Sequence, residues 1–183
     1  MTANALRFVE RAALAARRLA GYAVDVVVLA AGLAAFQGVL YGLDLNWAVR
    51  NPSGWPLHSW VLATVSVPCV LYFAAAPLIM GATAGQRILG LRTVPVHEAF
   101  DPIALTLRAI VLLLPFEINH AGLFWGLDAA GAPTPFLWVC VGAAYGLAGL
   151  YILSALVDRE GCALHDRVGG VRVRSSAPPE PRS

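Results

Sequence analysis

Two stretches of this chain, residues 60–80 and 135–157, contain no Asp, Glu, Lys or Arg. Each is long enough to cross a bilayer as a helix, which takes about 20 mostly apolar residues. Two further apolar runs share that length. Residues 19–43 are interrupted only by Asp25, and residues 102–125 carry Arg108, Glu117 and His120. Four such runs in 183 residues leave too little polar surface for a water-soluble core. Apolar residues make up 58% and charged residues 13%, about half the charge of an ordinary soluble domain. Mean hydropathy is +0.68. The expected fold is therefore an all-α membrane protein, a four-helix transmembrane bundle. The first run follows a basic start, as a signal peptide would, but it is too long and Asp25 interrupts it. It reads as an uncleaved first helix.

Orientation follows from arginine, since loops that stay in the cytoplasm retain basic residues. All 13 basic residues are Arg. Arg7, Arg11, Arg17 and Arg18 precede the first run, Arg87 and Arg92 follow the second, and Arg159, Arg167, Arg172, Arg174 and Arg182 follow the fourth. The loop after the first run holds only Arg50, and the loop after the third holds none. Both termini are thus expected in the cytoplasm. Trp47, Trp55, Trp60, Trp125 and Trp138 all fall on the other side, as expected of residues that favour the headgroup level.

A net charge of +2 gives no footprint for nucleic acid. Cys69, Cys140 and Cys162 form neither a CxxC nor a zinc spacing, and they read as packing residues. No phosphate loop or cofactor motif is present, and no metal is implied. His165 beside Asp166 invites a catalytic reading, but no Ser or Cys nucleophile motif accompanies it. The chain is expected to be non-enzymatic.

Charged groups inside a membrane require partners or a wet cavity. Counted from the starts of their runs, Asp25 and Arg108 lie at the same depth, roughly 9 Å from the cytoplasmic side. Arg18 lies seven residues before Asp25 on the same helix face, with Gly21 and Gly32. An ion pair of Asp25 with Arg108 or Arg18 is expected. Its structural reading is a pair that fixes helix registry. Its functional reading is a proton or cation site at Asp25. Glu117 and His120, one turn apart after Pro115, suit interfacial solvation better than a proton relay. Gly142-xxx-Gly146 offers a close-packing face within the bundle or between subunits.

Two interhelical segments look ordered. Residues 91–96 and 171–174 alternate in the manner of half-buried strands and follow glycines. They are expected to pair as a short cytoplasmic β-pair under the bundle, packed partly on residues 86–89. Asp166 would then accept hydrogen bonds from Arg18, Arg87 or Arg92. Residues 1–17 read as a cytoplasmic segment, 18–174 as the transmembrane domain and 175–183, rich in Pro and Ser, as a disordered tail.

Three motifs carry a resemblance. The stretch Arg18-Leu-Ala-Gly-Tyr-Ala-Val-Asp25 is similar to the opening signature of the RDD family of bacterial membrane proteins, which is named for an Arg and two Asp. Thr83-Ala-Gly-Gln-Arg-Ile-Leu-Gly-Leu-Arg-Thr-Val94 resembles its middle motif, and Ala163-Leu-His-Asp166 with residues 169–173 its closing one. The naming positions would be Arg18, Asp25 and Asp166, with Arg108, Arg87, Arg92 and His165 as neighbours in a charge network. Gln86 stands where Lys is common, and Gly170 where Thr often precedes the last valines. The resemblance implies an inner-membrane location and a helical domain without a settled activity. Three roles follow. One is an accessory or assembly factor working with the bilayer and other membrane proteins. Another is a small carrier exchanging a monovalent cation for protons at Asp25, which with four helices requires a homo-oligomer. The third, a membrane enzyme, lacks a recognisable site.

Overall fold

The computed structural model describes residues 3–46, 54–127, 131–158 and 160–176. Among these, four helices are long and apolar enough to cross a membrane. The first, α1 (Ala3–Gly42), starts sixteen residues earlier than the apolar run suggested. Residues 3–18 are rich in Ala, Arg and Leu, all strong helix formers, so nothing stops the helix at the membrane edge. The second span begins at Gly54 rather than Trp60. It consists of α2 (Gly54–Val61), a π-helical turn at Leu62–Ser66 and α3 (Val67–Met80). The wide turn lies just before Pro68, which has no N–H to continue an α-helical ladder. The third and fourth spans, α5 (Pro102–Trp125) and α6 (Pro135–Val157), have the expected bounds. Each starts with Pro at its first position, and Asp101 caps α5 by accepting from Ile103 N–H at 2.9 Å. Trp47 and Arg50, and the tail from residue 177, lie outside the described residues.

Helix α5 packs between α3 and α6, while α1 rests on α6 and on a short helix, α4 (Ala84–Ile88). The α5–α6 approach is close because Gly122 faces Cys140: a Cβ at Gly122 would sit 2.7 Å from that of Cys140. Pro115 interrupts the α5 ladder and frees the carbonyl of Val111. The Tyr151 hydroxyl of α6 donates to that oxygen at 2.6 Å, which both satisfies it and ties the two helices together. Gly142 and Gly146 have nothing within 4 Å of a built Cβ, so their close-packing face is not used within the chain.

The remaining elements gather at one end. Strands β1 (Leu91–Pro95) and β2 (Val171–Ser175) pair antiparallel, and α7 (Leu164–Val168) precedes β2 as α4 precedes β1. The inner face is tightly buried: Leu91, Thr93, Val171 and Val173 are each no more than 3% exposed. Pro95 closes β1, where its missing N–H costs no ladder bond. Ile88 is 69% exposed, and residues 86–89 meet the strands instead through buried Gln86, whose Oε1 accepts from the Thr93 hydroxyl at 3.0 Å.

These two segments are copies of one local fold, eighty positions apart. Gly81 and Gly161 both have positive φ, as do Gly90 and Gly170, the conformation that favours glycine. Thr83 and Ala163 take the same extended N-cap conformation. The third residue of each short helix reaches back to the cap: Thr83 N–H donates to Gln86 Oε1 at 3.1 Å, and Ala163 N–H to Asp166 Oδ2 at 3.2 Å. Arg87 and Arg167, then Arg92 and Arg172, occupy matching places. The strand register is centred on Thr93 opposite Val173. Val96 N–H donates to Gly170 C=O and Ser176 N–H to Gly90 C=O, both at 2.8 Å. A local twofold axis therefore passes between the strands.

Candidate functional site

The short helices bring two carboxylates into contact with the long ones. Asp166, on α7, is fully buried. Arg108 of α5 donates to its Oδ1 from Nε at 3.0 Å and from Nη2 at 2.9 Å. Arg18 of α1 pairs with Oδ2 and also donates to the Gly161 carbonyl. One carboxylate thus joins the first helix, the third helix and the end of the chain. Gly169 makes room for this, since a Cβ there would lie 2.7 Å from Arg108 Cδ. Burial pushes the Asp166 carboxyl up, but Arg108 and Arg18 outweigh it and hold the group well below the usual carboxylate range.

His165 completes this cluster. Its Nε2 lies 3.0 Å from the Tyr22 hydroxyl and 3.5 Å from Asp166 Oδ1. Burial lowers its pKa to about 4, with Arg108 and Arg18 adding to the effect of burial and Asp166 opposing it. The imidazole is therefore neutral at pH 7. Its Nδ1 has no hydrogen-bond partner.

Asp25 sits elsewhere. The expected pairing with Arg108 or Arg18 is not formed. Its Oδ1 accepts from the Tyr72 hydroxyl at 2.6 Å and from Gly85 N–H at 2.7 Å, and its Oδ2 from the Thr83 hydroxyl at 2.6 Å. Helix α1 packs on α4 and α6 rather than along α5, so equal depth does not bring Asp25 to Arg108. Asp25 consequently faces the first turn of α4. Gly85 and Gly21 meet backbone to backbone there, and a Cβ on Gly85 would lie 3.0 Å from the Asp25 carboxyl carbon. Gly32, on the same face of α1, has nothing within 4 Å.

The four residues Arg18, Asp25, Arg108 and Asp166 are all buried, and their formal charges cancel. Arg87 and Arg92 do not join them. Arg87 is exposed and donates to the Met80 carbonyl, and Arg92 is exposed on the outer face of the sheet. Sequence reasoning missed Tyr22, Tyr72 and Thr83. A signal existed for Thr83, whose Thr-x-x-Gln spacing is that of a capping box. Neither tyrosine carried one. At the opposite end of the bundle, Glu117 and His120 are not bonded to each other. Both carboxylate oxygens of Glu117 are buried without a partner, and the His120 ring lies against Phe116 and Phe124. No group of three or more His, Cys, Asp or Glu able to hold a metal occurs among the described residues.

The model of the RDD family matches residues 12–170. The chain belongs to the RDD family. The match takes in Arg18, Asp25 and Asp166, the first span from residue 12, the other three spans and both short helices. No curated protein and no solved structure matches the chain. As an RDD protein it is a multi-pass membrane protein, and its three naming residues are not one cluster. Arg18 and Asp166 meet each other, whereas Asp25 anchors the first of the two repeated segments.

Proposed function

We propose that this RDD protein is a non-enzymatic accessory or assembly factor of the bacterial inner membrane, with both termini in the cytoplasm. One observation carries the reading: the carboxyl groups of Asp25 and Asp166 are saturated by protein groups. Asp166 receives three bonds from two guanidiniums and one from a backbone N–H. Asp25 receives three from Tyr72, Thr83 and Gly85. Groups committed in this way hold helices together and are poorly suited to turning a substrate over. The large outward apolar faces, including Ile79, Tyr145 and Val157, each at least 70% exposed, suit lipid and neighbouring membrane proteins. The arginine distribution supports the orientation, and so does the separation in space between the arginine-bearing strands and the contact of Trp55 with Trp125. A reporter fused after Ser183 that works only in the cytoplasm is expected to be active. Mild cross-linking in native membranes should retain a second membrane protein at constant stoichiometry. A chain recovered alone under those conditions would overturn the role.

A second reading has its own observation. Among the described residues no cationic side chain touches Asp25, whose contacts are two hydroxyls and a backbone N–H. A carrier exchanging a monovalent cation for protons would use such a group. Proteoliposomes decide between the two. Cation-driven proton flux that disappears in Asp25→Asn, in a protein that stays folded, would replace the first reading by the second.

A further inference from the structure

A cavity of about 520 Å³ opens between α1, α5 and α6, within the size range of small-ligand pockets. Its walls are hydrocarbon: Leu19 and Val26 from α1, Leu113 and Phe116 from α5, Ile152 and Leu156 from α6. Toward the strands the lining also takes in Arg18, Tyr22 and His165, and beyond them Ala16, Ala15 and Ala12. His165 is 3% exposed, and its Nδ1 is unpartnered. Two turns beyond Arg18 on the same face of α1, next to the lining residue Ala12, stands Arg11, half-buried and without a hydrogen bond or ion pair among the described residues. From Arg11 to Val26 the helix climbs about 22 Å. Along that length lie a guanidinium, a mouth of small residues, Arg18 with Tyr22 and His165, and the deeper apolar slot.

We propose that this cavity is a binding site for an anionic phospholipid of the leaflet on the arginine-rich side, with one acyl chain in the slot and the phosphate at Arg11. The sequence of groups matches the molecule: phosphate at Arg11 just outside the mouth, ester region at the level of Ala15 and Ala16, chain past Leu19 and His165 against Val26 and Ile152. Arg18 is not available to the headgroup, because Asp166 and the Gly161 carbonyl already occupy it. Arg11 is therefore the group that selects for charge. An acyl chain in the slot would bear on Tyr22 and His165, next to Asp166, so occupancy reaches the cluster that joins the two ends of the chain.

The probe is phosphatidylglycerol with a diazirine near the end of one acyl chain, at low mole fraction in phosphatidylcholine bilayers containing the purified full-length protein. Photolabelling followed by peptide mapping should concentrate on the slot residues over Leu153, which is 56% exposed and does not line the cavity. Ala148→Trp, which fills the slot, should reduce slot labelling about tenfold, while Leu153→Trp leaves it unchanged. Ala12→Trp, at the mouth, serves if Ala148→Trp is not monodisperse. Arg11→Gln should lower the preference for phosphatidylglycerol over the equivalent phosphatidylcholine probe by about three- to tenfold. Equal labelling of Leu153 and the slot, or slot labelling untouched by both tryptophans, means ordinary boundary lipid and overturns the site. Equal labelling by the two headgroups in the unmodified protein overturns the role of Arg11.

Discussion

Replacing Asp166 by Asn removes a negative charge from between two buried guanidiniums. The carboxylate accepts from Arg108 twice, from Arg18 and from Ala163 N–H. Asn keeps one acceptor oxygen and turns the other position into a donor that faces an arginine. Removing one partner of a buried ion pair costs about 3–5 kcal/mol, because the other charge is left uncompensated. Arg108 is fully buried and Arg18 is 5% exposed, so neither can turn to water without moving its helix. A loss of about 3–5 kcal/mol lowers the melting temperature of a chain this size by roughly 6–20 °C. Thermal unfolding in mild detergent, followed by tryptophan fluorescence, reads this directly. Pairing is separated from mere disruption by a double-mutant cycle. Arg108→Gln and Asp166→Asn together should cost less than the sum of the two, by at least about 0.5 kcal/mol. Arg108→Gln with Asp25→Asn should be additive. Coupling of Arg108 to Asp25 with none to Asp166 would refute the assignment of partners.

Three other outcomes follow from the same geometry. His165 has a folded pKa near 4 against 6.5 in the unfolded chain, so the unfolded state takes up the proton first as pH falls. Its contribution is complete above pH 6.5 and is lost between pH 6.5 and 4; melting curves across that window should drop for the parent protein and flatten in His165→Gln. Gly85→Ala places a methyl against the Gly21 backbone and the Asp25 carboxyl carbon, so it should destabilise by about 1–3 kcal/mol, whereas Gly142→Ala, which meets nothing within 4 Å, should melt with the parent. Tyr72→Phe removes a hydroxyl that donates to Asp25 and accepts from Ala84 N–H, and a loss of about 1.5–3 kcal/mol is expected from a bond to a charged group; an unchanged melting temperature would place the Asp25 anchor elsewhere.

The spans were legible because hydrocarbon imposes length and composition on a helix, and α5 and α6 have the bounds their apolar runs predict. The start of α1 was not, because residues 3–18 are good helix formers that carry arginines, and apolar length says nothing about where a helix begins in water. Both strands were legible from their alternation. The identity of the buried residues Asp25, Arg108 and Asp166 was legible too, but their partners were not. Depth was judged along each helix alone, while partner choice depends on rotation and on which helices touch. Asp25 turned toward a five-residue helix whose backbone N–H has no signature in sequence. The repeat stood in plain view as Gly81, Arg87, Gly90 and Arg92 matched by Gly161, Arg167, Gly170 and Arg172. It is hard to notice because only scattered positions coincide while the intervening residues differ.

The bond between Arg18 and Asp166 spans 148 residues, which gives the molecule a clock. Polypeptides are made at about 5–20 residues per second, so roughly 7–30 s separate the synthesis of the first partner from that of the second. Through that interval Arg18 is without its carboxylate, as is Arg108 for the last 58 residues of it, about 3–12 s, and α1 and α5 have no ionic tie. Asp166, made after the fourth span, supplies it. A chain that stops before Asp166 thus carries all four apolar helices and two arginines without the carboxylate that pairs them.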